Sequence, residues 1–336
     1  MTTNKILTKN NKIFKNIELL LLSLSTIFVL IVILSNPKRY NTSVLQGLTM
    51  FLTCVLPGLF PFMFFTKLLS SFGLIEKLSS RLEKPTRLLF NTSPISSYVL
   101  LISAISGYPV GAKLISDLYL SNSISQSDAK KMCSFCTTSG PLFVIGTVGA
   151  VMVGNITVGI VIYISHILAS VMCGITLRGK SQQSQKISSV VPLHRPDNLL
   201  SKTMLDTVQN ILLVGGYITI FFLISDIIFD TKIATVVAYP LEKFLSLFGI
   251  SGLSNGIVGG LLEVTRGCKI LSAFTGIWPI CFAASLISFG GLSITIQSMA
   301  YLSRCKIKAR YFVFVKCVHA IFTFFICLGL CKLFIV

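Results

Sequence analysis

Two clusters of helix-breaking and charged residues stand out inside apolar stretches of this sequence. The first, Ser106-Gly107-Tyr108-Pro109-Val110-Gly111-Ala112-Lys113, breaks a helix and follows the break at once with a cation. The second, Gly260-Leu261-Leu262-Glu263-Val264-Thr265-Arg266-Gly267-Cys268-Lys269, sets three charges among apolar neighbours. Unwound backbone at membrane depth is tolerated only where protein or a water-filled cavity satisfies it. A half-helix beginning after Pro109 would turn free N–H groups and a positive dipole end toward an anion. Gly107 and Gly111 equally fit a GxxxG packing face on a helix kinked at Pro109, and the sequence leaves both readings open.

Glu263, Arg266 and Lys269 would each cost roughly 2.5–3.5 kcal/mol at the centre of an isolated membrane helix, so they need partners or water. Glu263 could pair with Arg266 or Lys269, hold a coupling proton, coordinate a cation, or form an ordinary interhelical salt bridge. Thr137, Thr138, Ser139, Gly140 and Pro141 offer hydroxyls beside a further break, useful for a polar ligand and equally for close helix packing. Gly174 to Ser181 matches the P-loop pattern, but an apolar span precedes it where that motif needs a strand, so ATP chemistry is set aside. Cys133 and Cys136 form a lone CxxC with no second pair and no His ligands, which favours small-residue packing over a zinc site. His166 and His319 stand alone on apolar spans. No nucleophile and base pair emerges, and the chain is not expected to be an enzyme.

The elements that must position these residues are membrane helices. Of 336 residues, 53% are hydrophobic and 12% charged, and the mean hydropathy is +0.83. Soluble domains carry roughly 25% charged residues. Apolar stretches of about 20 residues recur, the length a helix needs to cross a hydrocarbon core. The short alternating segments of a transmembrane barrel are not seen. A net charge of +18 would raise the question of nucleic acid in a soluble protein. Here the basic residues sit mainly in loops, as their retention on the cytoplasmic side explains, and no nucleic-acid partner is expected. The ten cysteines, among them Cys54, Cys173, Cys268, Cys281, Cys317 and Cys327, lie mostly in apolar runs, where a thiol behaves as a small hydrophobe.

Residues 1–43 read as a basic cytoplasmic N-terminus and a signal-anchor helix, with the apolar run from Leu19 to Leu34. A stretch from Val44 to Phe72 should be kinked or broken at Pro57, Gly58 and Pro61. A basic interfacial helix, Leu74 to Phe90, follows. Ser97 to Leu120 is expected to fold as a re-entrant hairpin, because each flank of its break is only about ten residues. Met132 to Val153, broken at Ser139-Gly140-Pro141, and Ile156 to Leu177 complete a first unit, 44–178. A basic cytoplasmic linker, 179–205, leads to a second unit, 206–336. There the same order recurs: a helix broken at Gly215-Gly216, an amphipathic stretch, a Gly-rich interrupted segment, a span broken at Gly290-Gly291, and a last span from Tyr311. Corresponding breaks are offset by about 150–160 residues, which predicts an internal duplication. With three crossings and one hairpin per half, the second half is inserted upside down, the inverted repeat of many secondary transporters. The expected fold is thus an all-α integral membrane protein with about seven transmembrane helices and two re-entrant hairpins.

The motifs SGYPVGAK (Ser106 to Lys113), TTSGPLFVIGTVG (Thr137 to Gly149) and LLEVTRG (Leu261 to Gly267), in that order, resemble those of the YlbJ-type sporulation integral membrane proteins, within the wider nucleoside-recognition or Gate-domain group. The resemblance covers about residues 44 to 335. It implies a core like that of concentrative nucleoside transporters and the gate of ferrous-iron permeases, with hairpin tips framing a central site. It implies a role in endospore formation, in moving dipicolinic acid from the mother cell towards the forespore, in the mother-cell-derived forespore membrane. Carried over by motif, the substrate site is Gly107, Tyr108, Pro109, Gly111, Lys113, Ser139, Gly140, Glu263, Thr265, Arg266 and Lys269. Half-helix N-termini, hydroxyls and three cations suit a small anionic substrate. A nucleoside or ferrous-iron permease, and a non-transporting scaffold for the spore cortex, are the alternatives. No cofactor or bound metal is expected; a coupling ion, H+ or Na+, membrane lipid and association into homo-oligomers remain as partners.

Overall fold

Along the longest helices the large apolar side chains face outward and the small or polar ones inward, the reverse of a water-soluble bundle. The computed structural model describes residues 2–72, 74–179 and 198–335. Most of the expected basic linker lies outside the described residues.

The described chain is helical: α1 (Thr2–Ser35), α2 (Pro37–Met50), α3 (Leu56–Ser71), α4 (Leu74–Phe90), α5 (Ser96–Ser106), α6 (Val110–Leu120), α7 (Gln126–Met132), α8 (Ile156–Thr176), α9 (Leu199–Asp230), α10 (Ile233–Ser246), α11 (Ser254–Leu262), α12 (Val264–Leu271), α13 (Ile277–Phe289), α14 (Gly291–Leu302) and α15 (Ala309–Phe334). Short π-helical segments, Phe51–Val55 and Leu142–Val153, join α2 to α3 and lead to α8. The starts are set by local chemistry. Asn36 caps α2, whose first residue is Pro37, and Asn155 caps α8 after Gly154 closes the π-helix at φ +75°.

On α8, Ile156, Ile160, Ile164, Leu168 and Met172 are exposed, while Gly159, Ser165, His166, Ala169 and Gly174 are buried. On α15, Phe314, Ile321 and Phe325 face out, while Lys316, His319, Thr323, Cys327 and Cys331 face in. Only lipid makes that arrangement favourable. Among the described residues, five helical stretches are long and apolar enough to cross a membrane: Pro37–Leu69, Ile156–Thr176, Leu199–Asp230, Ile277–Cys305 and Ala309–Phe334. The expectation was about seven. The two others it counted, Leu19 to Leu34 and Met132 to Val153, contain only the shorter apolar helices Leu19–Ser35 and Leu142–Val153.

The expected break at Gly215-Gly216 is absent, because α9 runs unbroken from Leu199 to Asp230. Gly215 is needed there for a different reason: a Cβ on it would stand 2.6 Å from the ring of Phe51. The other interruptions fall where Gly and Pro put them. Between α11 and α12 the chain reverses. Gly267 lies on the backbone of Gly260, and Gly256 lies on Leu271, pairings that converge on the turn as only antiparallel arms do. Between α5 and α6, Gly111 meets Ser103 across the turn at Gly107 to Pro109, so this pair is a hairpin too. The core is shared. One large apolar cluster joins the π-helix before α8 to α11, α12, α13 and α15, and a second joins α5, α6 and α7 to α15.

Candidate functional site

Each hairpin tip abuts a broken helix. At the first, Gly107 has φ +77° and a Cβ on it would lie 2.6 Å from the amide nitrogen of Gly140, so Gly107-Tyr108-Pro109 rests on the break Ser139-Gly140-Pro141. At the second, a Cβ on Gly291 would lie 2.8 Å from the carbonyl of Gly260, so the end of α11 rests on the break Gly290-Gly291. Glycine is required at Gly107 and Gly291 by both crowding and a positive φ.

Both tips contribute to one small cavity of about 50 Å3, lined by Gly107, Tyr108, Ser139, Gly140, Glu263 and Thr265, by Ser293 and Gln297 of α14, and by apolar residues that include Phe143 and Ile218. Six expected site residues therefore meet, although they come from stretches more than 100 residues apart in the chain. A second cavity of about 290 Å3 lies beside the first, sharing Ser106. It is lined by Lys67, Lys113 and Lys202 against Asp117 and Asp206, so lysines outnumber carboxylates.

The helix N-termini at the tips differ. Among the described residues no side chain caps α6 at Pro109. The N-terminus of α12 is capped: the Glu263 carboxylate accepts from the backbone N–H of Arg266 at 2.7 Å, and Glu263 is 1% exposed. This is an N-cap in the physical sense, an acceptor for an orphan donor at the positive dipole end. It was not among the sequence-level readings of Glu263.

The remaining expected residues stand elsewhere. Pro109, joined to Tyr108 by a cis peptide bond, begins α6. Gly111 serves close packing of α6 against Ser103 and the carbonyl of Cys136. The Arg266 guanidinium turns away from the cavity to Asp226 of α9 at 2.6 Å, and Asp226 also receives Arg39 at 3.6 Å. Lys269 is exposed. Of the three cations expected around the tips, Lys113 lines the second cavity.

A buried polar network behind the first tip was passed over in the sequence. Lys316, 1% exposed on α15, donates from Nζ to the Tyr108 hydroxyl at 2.6 Å and to the Thr137 carbonyl at 2.7 Å. No carboxylate lies within ion-pair distance of it among the described residues. The Ser139 N–H donates to His166 Nε2 at 2.8 Å. An amide can only donate, so Nε2 is bare, and Nδ1 carries the proton to Ser288 Oγ at 2.6 Å. The Ser288 hydroxyl must then donate to Thr323 Oγ1 at 2.6 Å, and Thr323 donates to the His319 carbonyl at 2.8 Å. His319 Nε2 donates to the His166 carbonyl at 3.0 Å, and the two imidazoles stack at 4.7 Å. The signal available in the sequence was Lys316 and His319 at i, i+3 inside an apolar span, since an intramembrane ionisable residue is by default a functional candidate.

Among curated proteins the chain is similar to the sporulation integral membrane protein YlbJ of Bacillus subtilis (strain 168), at 26% identity over 330 residues, covering 91% of this chain and 81% of that protein. This supports the YlbJ-type family, the one its motifs resemble. No family model matches, and no solved structure matches.

Proposed function

We propose that this YlbJ-type membrane protein is a transporter of a small anionic metabolite, working by alternating access through an inverted repeat of the kind found in concentrative nucleoside transporters. The observation that carries the reading is the cavity to which both tips contribute, next to a lysine-rich vestibule and an uncapped helix N-terminus. The parallel order of elements supports the repeat: α2–α3 with α9, α4 with α10, α5–α6 with α11–α12, the Ser139-Gly140-Pro141 break with Gly290-Gly291, and α8 with α15. The Leu19–Ser35 and Leu142–Val153 runs complete the seven crossings of that scheme.

Dipicolinic acid is the substrate we favour, exported from the mother cell towards the forespore in the mother-cell-derived forespore membrane. One of its carboxylates would take the open end of α6 and the vestibule lysines. The cavity between the tips, about 50 Å3, holds only a few waters. In this reading the structure is therefore a closed state, and passage requires Gly107 to lift from Gly140.

The test is uptake of labelled dipicolinate by proteoliposomes of purified protein, under proton and sodium gradients. Saturable uptake, inhibited by unlabelled dipicolinate and lowered in Lys113→Ala, is expected. No uptake by folded protein under either gradient would contradict dipicolinate transport. Saturable uptake of a nucleoside or of ferrous iron in its place would contradict the anion assignment.

A further inference from the structure

Three of the ten cysteines converge where α13 packs along α15. Cys281 on α13 and Cys327 and Cys331 on α15 are fully buried, and their sulfurs all lie within 4.8 Å of one another, with Cys327 and Cys331 3.8 Å apart. From these positions we infer that Cys281, Cys327 and Cys331 form a three-thiolate binding site for a soft monovalent metal ion of the Cu(I) class.

Sequence explains the convergence. Cys327 and Cys331 are i, i+4 and so share one face of α15, which packs along α13. A metal held at about 2.3 Å by each of three thiolates puts the sulfurs about 4 Å apart. The observed 3.8 Å is already that edge, and the others need only a small inward shift. The chemistry of the donors selects the ion. All three are sulfur, with no imidazole or carboxylate in the group among the described residues, and soft thiolates favour Cu(I). Zinc in a structural site almost always takes four ligands. On binding, each ligating thiol yields its proton to solvent and forms one sulfur–metal bond, and the metal keeps its oxidation state. Cys281 lies in the second turn of α13 and Cys331 in the last turn of α15, both near one end of the bundle. That end is opposite the basic turn of Lys306 and Lys308 from which α15 starts. Cys327 is also two helical turns beyond His319, so the site is separate from the tip network and does not depend on the transport reading.

The experiment is anaerobic titration of the reduced full chain in detergent micelles with Cu(I), in competition with bathocuproine disulfonate. Sulfur-to-metal charge-transfer absorbance and the melting temperature are followed. Wild type and Cys133→Ser/Cys136→Ser should take up one equivalent and gain thermal stability, because an ion that binds only the folded chain raises its stability. Cys281→Ser should bind more than about 100-fold more weakly, since losses outside the ligand shell already cost roughly 10–100-fold. Cys281→Ser/Cys327→Ser/Cys331→Ser should show neither the band nor the gain. Melting of the metal-free variants establishes that they are folded. Equal affinity in the triple variant, no Cu(I) bound by folded wild type, tighter binding of Zn2+ than of Cu(I), or a mass two hydrogens low from a disulfide in this cluster would overturn the assignment.

Discussion

The two hairpin tips are built alike and finished differently. Both are antiparallel half-helices whose turns rest on a glycine break in the next helix. The second tip carries its own hydrogen-bond acceptor, Glu263, on the start of α12, and its arginine is taken up by Asp226. The first has no side-chain cap on α6, and its Tyr108 is held from behind by Lys316, a cation with no carboxylate beside it among the described residues. The second tip has both a side-chain cap and an ion pair, whereas the first has neither among the described residues. In the transport reading proposed above, that difference would make the first tip the end that receives an anionic ligand, because unpaired charge is costly in a membrane interior.

Variants should break this comparison in a definite order. The largest effect is expected for Arg266→Ala, which strands the buried Asp226 with only the more distant Arg39 and should cost about 3 kcal/mol in unfolding measured in micelles. Replacing Asp226 by Ala in the same chain should recover much of the loss. Lys316→Met leaves the Thr137 carbonyl and the Tyr108 hydroxyl without their donor, a cost of about 1–3 kcal/mol by the same measurement, and frees the first tip. Glu263→Ala removes a cap and should cost about 1 kcal/mol, while Glu263→Gln keeps an acceptor and should stay within a few tenths of wild type. If Gln and Ala destabilise equally, the carboxylate is acting through its charge and not as a cap. Lys269→Ala, at an exposed position, should leave stability within about 0.5 kcal/mol of wild type.

Much of this was legible in the sequence because glycine and proline have local meanings. Ser106 to Gly111 and Gly290-Gly291 read as breaks, and the structure breaks there. Gly215-Gly216 carried the same signature and misled, since a glycine that admits a neighbour's ring looks in sequence like one that ends a helix. Four of the named tip residues meet at one cavity with Ser139 and Gly140 of the neighbouring break. What could not be read was pairing over distance. Arg266 finds Asp226 40 residues upstream, and Lys316 finds Tyr108 208 residues away. The N-cap role of Glu263 was a local signal that an apolar context obscured, because a charge in a membrane span draws attention to partners before caps.

Lys113 and Lys269 occupy equivalent places, each two residues beyond the packing glycine of its hairpin, yet Lys113 lines a cavity and Lys269 is exposed. The most direct test of the asymmetric site is therefore the initial rate of labelled dipicolinate uptake in proteoliposomes of Lys113→Ala and Lys269→Ala side by side. Uptake should fall at least about tenfold in Lys113→Ala, as loss of roughly 1.4 kcal/mol of ligand interaction implies, and stay at the wild-type rate in Lys269→Ala. Equal loss in both, or loss in Lys269→Ala alone, would contradict an anion site at the first tip.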